Sequence, residues 1–235
     1  MIPVNRSPLA MAAAASLCAA GTCLGATLYL EEFDGNTNDY NADSATATTS
    51  GDWVDFSNRM SSDSYTTASG GTETVLAGVS ASNDPQVRSD FGFGIDKTIV
   101  TAFALRLRID SDGNSSFDDS LTSADFSVFW GTSSYGTPGA TNVADTNNSL
   151  GAPSSLVAQS DGWHLATWTI PSGGLTAGAN STIESLRIDP TNGSAGNGDS
   201  FEIDYFRIDG VPEPGSSTLV ALGALTVCLR RRRQR

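Results

Sequence analysis

Residues 98–109 read TIVTAFALRLRI. In an extended chain successive side chains point to opposite faces, so Phe103, Leu105, Leu107 and Ile109 share one face and Arg106 and Arg108 the other. A helix would scatter these residues around its axis. The stretch therefore predicts a half-buried β-strand, and its neighbours follow the same pattern. Strands are expected at 26–33, 73–80, 86–91, 98–109, 125–130, 155–159, 163–170, 182–188 and 200–208, separated by runs of Gly, Ser, Asn, Asp and Thr. In the last of these, strict alternation puts Phe201, Ile203 and Tyr205 opposite Glu202, Asp204 and Phe206. About nine strands with turn-rich links predict an all-β domain, a two-sheet antiparallel β-sandwich of jelly-roll type over residues 27–210. Residues 36–50 and 136–154 read as long polar loops, and no internal repeat is evident.

The two ends differ from this body. Residues 1–26 carry Arg6, then an apolar stretch from Leu9 to Leu24, then small residues, the pattern of a secretory signal peptide with its helical apolar core. The last 25 residues, 211–235, read VPEPGSSTLVALGALTVCLRRRRQR. Ser216 to Leu229 is uncharged, and as a helix it would be about 20 Å long against a hydrocarbon core of about 30 Å. Snorkelling arginines and local thinning make up the difference, which gives a single short transmembrane helix. Arg230, Arg231, Arg232, Arg233 and Arg235 hold that end on the cytoplasmic side. Pro212 and Pro214 stop any helix before the span and keep the chain there extended.

Charge narrows the partners. Arg6 and the five tail arginines take six of the 13 basic residues, and Glu213 one of the 26 acidic ones, so residues 27–211 keep seven basic against 25 acidic. Lys97 is the single lysine. A phosphate backbone requires a basic patch, so nucleic acid is excluded as a partner, whereas cations and neutral glycans are compatible. All three cysteines (Cys18, Cys23 and Cys228) lie in the ends. With the lone His164 they leave the body no His/Cys zinc site. His164 reads as a surface strand residue, opposite Trp163 and Leu165. No Gly-x-Ser-x-Gly elbow, phosphate-binding glycine loop or recognisable pair of catalytic carboxylates occurs, so the body reads as non-catalytic.

Two other chemistries remain. Calcium takes oxygen ligands, and DSDGNSSFDD, residues 110–119, offers Asp110, Asp112, Asn114, Asp118 and Asp119, which equally make an acidic turn. Sugar rings stack on aromatic planes, and Trp53, Tyr65, Trp130, Tyr135, Trp163 and Trp168 are candidate platforms, with Asp84, Gln86 and Arg88 as hydrogen-bonding partners. Of these, Trp130, Tyr135 and Arg88 are the glycan-binding candidates carried forward. Trp130, Trp163 and Trp168 fit the core of the sandwich as well. Arg187 and Asp189-Pro190 read as architectural, closing a turn and pairing with an acid.

The tail resembles the PEP-CTERM sorting signal of exported bacterial proteins, on Pro212-Glu213-Pro214, the apolar stretch and the arginine cluster in that order. The resemblance implies an exosortase as processing partner and transient anchorage in the inner membrane. It further implies delivery to the cell surface or an extracellular polysaccharide matrix. The body resembles jelly-roll modules of the carbohydrate-binding or galactose-binding-like type, on GDW, NDPQVRSDF, FSVFW, DGWHLATWTI, IESLRIDP and GDSFEIDYFRID in sequence order. That resemblance implies carbohydrate binding. It also implies a structural calcium where the first and last strands lie side by side, with Glu32, Asp34 and Asp204 as its ligands. A structural matrix protein without sugar specificity fits the acidic single-domain body too, and a glycan-active enzyme is the third reading.

Overall fold

A computed structural model describes residues 26–34, 40–41, 53–55, 60–68, 71–81, 84–89, 94–133, 148–192 and 197–211. Its regular structure is all-β. The strands are β1 (Ala26–Glu31), β2 (Tyr40–Asn41), β3 (Trp53–Asp55), β4 (Met60–Thr67), β5 (Thr74–Ala81), β6 (Val87–Ser89), β7 (Ile95–Asp96), β8 (Val100–Asp110), β9 (Ser127–Gly131), β10 (Asn148–Ser149), β11 (Ser155–Ala158), β12 (His164–Thr169), β13 (Thr182–Ile183), β14 (Ser185–Asp189) and β15 (Asn197–Gly210). One sheet runs β11-β12-β8-β15-β5-β4, with β1 added to β15. The second runs β10-β9-β14-β6-β3-β2, antiparallel except for the β2–β3 pair. A two-stranded piece, β13-β7, completes the structure.

Each of the nine expected strands has its counterpart, and in several, such as β5 and β12, buried residues alternate with more exposed ones. The span 182–188 divides into β13 and β14, which pair with different partners. β4 was not expected. Its sequence, MSSDSYTT, has no apolar alternation, and among the described strands it forms the edge of its sheet. The expected loops 36–50 and 136–154 contain the two-residue strands β2 and β10.

The core lies between the two large sheets. Phe103, Leu105, Leu107 and Ile109 of β8 meet Trp53, Val87, Val128, Leu186 and Ile188 from the second sheet, all of them buried. β15 is the central strand. It pairs with β8 along one edge, and with β5 and then β1 along the other. The pairing with β8 slips at Asp204: Ile203 faces Leu107, Tyr205 faces Arg106 and Phe206 faces Leu105. Such a bulge inserts one extra residue and inverts the faces beyond it. Phe206 and Ile208 therefore enter the core with no exposure, and Tyr205 turns outward. This corrects the strict alternation expected from the sequence, which had Tyr205 inward and Phe206 outward.

A polar network sits inside the sandwich beside Phe206. Trp53 Nε1 donates to Tyr29 Oη at 2.8 Å, and Tyr29 Oη donates to Glu31 Oε2 at 3.2 Å. Glu31 Oε1 accepts the amide of Phe33 at 2.9 Å. Glu31 is only 4 % exposed. A carboxylate there is tolerable because its oxygens are hydrogen-bonded.

Candidate functional site

Three polar arrangements surround the core. The first lies on the outer face of the β8 sheet. Arg108 Nε and Nη2 both donate to Glu202 Oε2, at 2.9 and 2.6 Å, and Nη1 donates to Asp161 O at 3.0 Å. The Arg108 guanidinium lies 4.1 Å from the Phe117 ring centre and 4.6 Å from that of Trp163. The Arg106 guanidinium lies 4.4 Å from the same indole and donates to Asp204 at 2.7 Å and Glu73 at 3.2 Å. Gly162, at φ +75°, allows the turn before β12 to press on Phe117, whose Cβ would stand 2.7 Å from any Cβ placed there. Trp163 is buried here and not in the main core.

This arrangement accounts for Asp204. Its carboxylate is held by Arg106, while Glu32 and Asp34 are exposed beyond β1. β1 and β15 do lie side by side. Among the described residues, no group of three or more His, Cys, Asp or Glu side chains is placed to hold a metal ion. In the 110–119 loop, Asp110 accepts the amides of Asn114 and Ser115, Asp112 that of Asn114, and Asp118 that of Ser111. These carboxylates thus serve the turn. Burial, and then the negative charges of Asp110 and Asp118, raise the carboxyl of Asp199 above its ordinary value.

The second arrangement lies on the outer face of the β14 sheet. Arg187 and Arg88 stand opposite each other across β14 and β6. Arg187 is bidentate to Asp189, donates from Nη2 to Asp84 Oδ1 at 2.9 Å, and lies 4.6 Å from the Phe129 ring centre. Gln86 Nε2 donates to Asp84 Oδ2 at 2.7 Å. The structure thus brings Asp84, Gln86 and Arg88 together, but Gln86 and Arg88 are only 2 % and 4 % exposed. Arg187 and Asp189 pair as the sequence indicated. Burial pushes Asp189 up to about 6, against the opposing pull of Arg187. A carboxyl that binds its proton more tightly when folded stabilises the fold below its unfolded value of 3.8, and that contribution is lost as pH rises through about 6. Denaturant unfolding between pH 4 and 7 should accordingly show a loss of about 2 kcal/mol from this group. Asp189→Asn should flatten that slope.

The third is a cleft of about 550 Å³ where the edge of the β9 sheet meets the end of β12. Asn148 and Ser149 enter from β10, which pairs with β9 at Trp130 and Phe129. Leu150 and Ile170 line its depth, and the loop Pro171–Ala177 forms the opposite wall. Trp130 lies at its base but is only 2 % exposed, so it packs as core and offers the cleft little more than an edge. Trp168 is likewise core, with Nε1 donating to Gly151 O at 2.9 Å. The described lining has no ionisable side chain: hydroxyls and one amide alternate with apolar surface. The sequence singled out none of the rim residues Asn148, Ser149, Ser172 and Thr176, since Ser, Thr and Asn recur throughout its loops.

His164 corrects its sequence reading. It is 2 % exposed and faces inward between the sheets. Leu121 N donates to its Nε2 at 3.3 Å, so Nδ1 carries the hydrogen and donates to Gly162 O at 2.9 Å. A histidine with both nitrogens satisfied fits an interior position. Tyr135, Pro212, Glu213, Pro214, the five tail arginines, residues 1–25 of the signal stretch and the side chain of Tyr65 lie outside the described residues.

No family model matches the chain. No curated protein matches it either. Among solved structures, the CBM22-1 xylan-binding domain of Paenibacillus barcinonensis Xyn10C is similar at a TM-score of 0.44 and 13 % identity, over 80 % of this chain and 97 % of that one. A carbohydrate esterase from the Shiga toxin-encoding bacteriophage phi24B is similar at 0.40 and 12 %, over 79 % and 99 %. The low-affinity xylan-binding module CBM86 of Roseburia intestinalis is similar at 0.32 and 14 %, over 67 % and 93 %.

Proposed function

We propose that this protein is an exported, non-catalytic surface or matrix protein that binds a neutral polysaccharide in the cleft between β10 and the 171–177 loop. The body takes the role of a jelly-roll carbohydrate-binding module. One observation carries the reading: a cleft of about 550 Å³ whose described lining is uncharged, on a chain whose formal net charge is −13. Small-molecule sites are concave and mostly apolar, with a few polar groups that fix orientation. Leu150, Ile170 and Pro171 supply surface for the C–H faces of a sugar, and Asn148, Ser149, Ser172 and Thr176 supply donors and acceptors for its hydroxyls. A carboxylated glycan would meet the negative field of the whole chain without a cation in the described lining to offset it. The sorting tail supports the location: an exosortase would act near Pro212-Glu213-Pro214 while the arginine cluster holds the precursor in the inner membrane.

The test is retention of the full-length chain, in mild detergent, on immobilised barley β-glucan and xylan against alginate and polygalacturonate. Retention on a neutral polymer and none on the acidic ones is expected. Ser172→Glu, at the exposed rim, should lower retention about tenfold by placing a charge and added bulk in the cleft, with the melting temperature unchanged. Equal retention on alginate, or an unaffected Ser172→Glu variant, would remove this reading. Calcium and chelator arms belong in the same assay, because a cation at Glu32, Asp34 and Asp204 would have to displace the Arg106–Asp204 ion pair.

A further inference from the structure

The outer wall of the cleft, Pro171–Ala177, belongs to no strand, yet one residue ties it and the turn that follows down through four hydrogen bonds, to Leu175, Ala177, Gly178 and Ser181. Lys97 N donates to Ser181 O at 3.0 Å, and Lys97 O accepts the amide of Leu175 at 2.9 Å. Its side chain, folded in to 9 % exposure, donates from Nζ to Ala177 O at 2.8 Å and to Gly178 O at 2.9 Å. Lys97 itself is fixed from below. It follows β7, which pairs with β13, and Asp96 Oδ1 accepts both the amide and the hydroxyl of Thr98, at 2.8 and 2.7 Å. The wall also presses directly on this turn. Gly174 has φ +72°, and a Cβ there would stand 2.2 Å from Lys97 O. Only glycine lets the two backbones approach so closely.

Given the glycan reading above, we infer that Lys97 is the positioning residue of the cleft: its ammonium, donating to two backbone carbonyls, clamps the 171–178 wall. The single lysine of the chain therefore fixes the width of the site. The consequence is geometric. Ser172 and Thr176 ride on a loop whose position depends on this clamp, and contacts misplaced by about 1 Å lose much of their worth.

The experiment uses full-length Lys97→Met, Lys97→Arg and Gly174→Ala, with amide hydrogen exchange over 172–181 and retention on barley β-glucan and xylan. Lys97→Met keeps the length of the side chain and removes the donors. It should speed exchange of the Leu175 amide, which donates to Lys97 O, about tenfold and weaken retention about tenfold, with the strands still protected. Lys97→Arg, which restores charge and donors, should recover a large part of both. Gly174→Ala should reproduce the loss without touching any charge, so a change of charge alone cannot explain it. Unchanged exchange at 172–181 in Lys97→Met would overturn the clamp. Faster exchange with undiminished retention would overturn the positioning role. If the parent chain binds neither polymer while exchange still responds, the glycan reading falls and the clamp stands as a property of the fold.

Discussion

Arg108→Ala is expected to destabilise the fold by about 3–5 kcal/mol, a loss of about 10 °C in melting temperature for a body of this size. The side chain is 2 % exposed, and both of its donors toward Glu202 converge on one oxygen. Glu202, whose side chain is only 8 % exposed beside Arg108, loses this charge partner when the arginine is removed. It also removes the guanidinium lodged between Phe117 and Trp163, so packing and charge are lost together. The double replacement Arg108→Met with Glu202→Leu should recover most of the loss, because exchanging both charges for apolar groups strands neither. Thermal and urea unfolding of the three chains would check this. A double variant no more stable than Arg108→Ala would place the cost in the packing of the 111–120 loop instead.

Phe206→Ala is expected to cost about 3–5 kcal/mol, and Tyr205→Ala about 1 kcal/mol or less. Phe206 has no exposure and meets Trp53 edge-on at 5.8 Å and Phe103 at 6.0 Å. Its removal opens a cavity between the two sheets, next to the Trp53–Tyr29–Glu31 network. Tyr205 stands on the outer face opposite Arg106. Strict alternation through FEIDYFRI would reverse the two effects, so the pair of variants reads the bulge at Asp204 directly. Equal losses, or a larger one for Tyr205, would put the slip in pairing elsewhere.

Much of the framework was legible in the residues. Alternation in FALRLRID set one face of β8, and the same periodicity marked β5, β9, β12 and β14, because a strand buried on one side must repeat every two residues. The charge balance, the absence of cysteine from the body and the three-part tail are sequence facts that need no coordinates. Tertiary structure alone decided the rest. The bulge at Asp204 depends on how β15 pairs with β8 and carries no local signature, yet it exchanges Tyr205 and Phe206 between surface and core. His164 looked like a surface residue because alternation set it opposite Trp163 and Leu165; Trp163 packs outside the main core instead, and His164 is interior, with Leu121 N and Gly162 O meeting its two nitrogens. The cleft follows from contacts among residues 97, 130, 148–150 and 170–178, distant in the chain and individually ordinary. Periodicity is local and survives in the sequence, whereas register, burial of a polar group and the walls of a cleft arise only when separate segments meet.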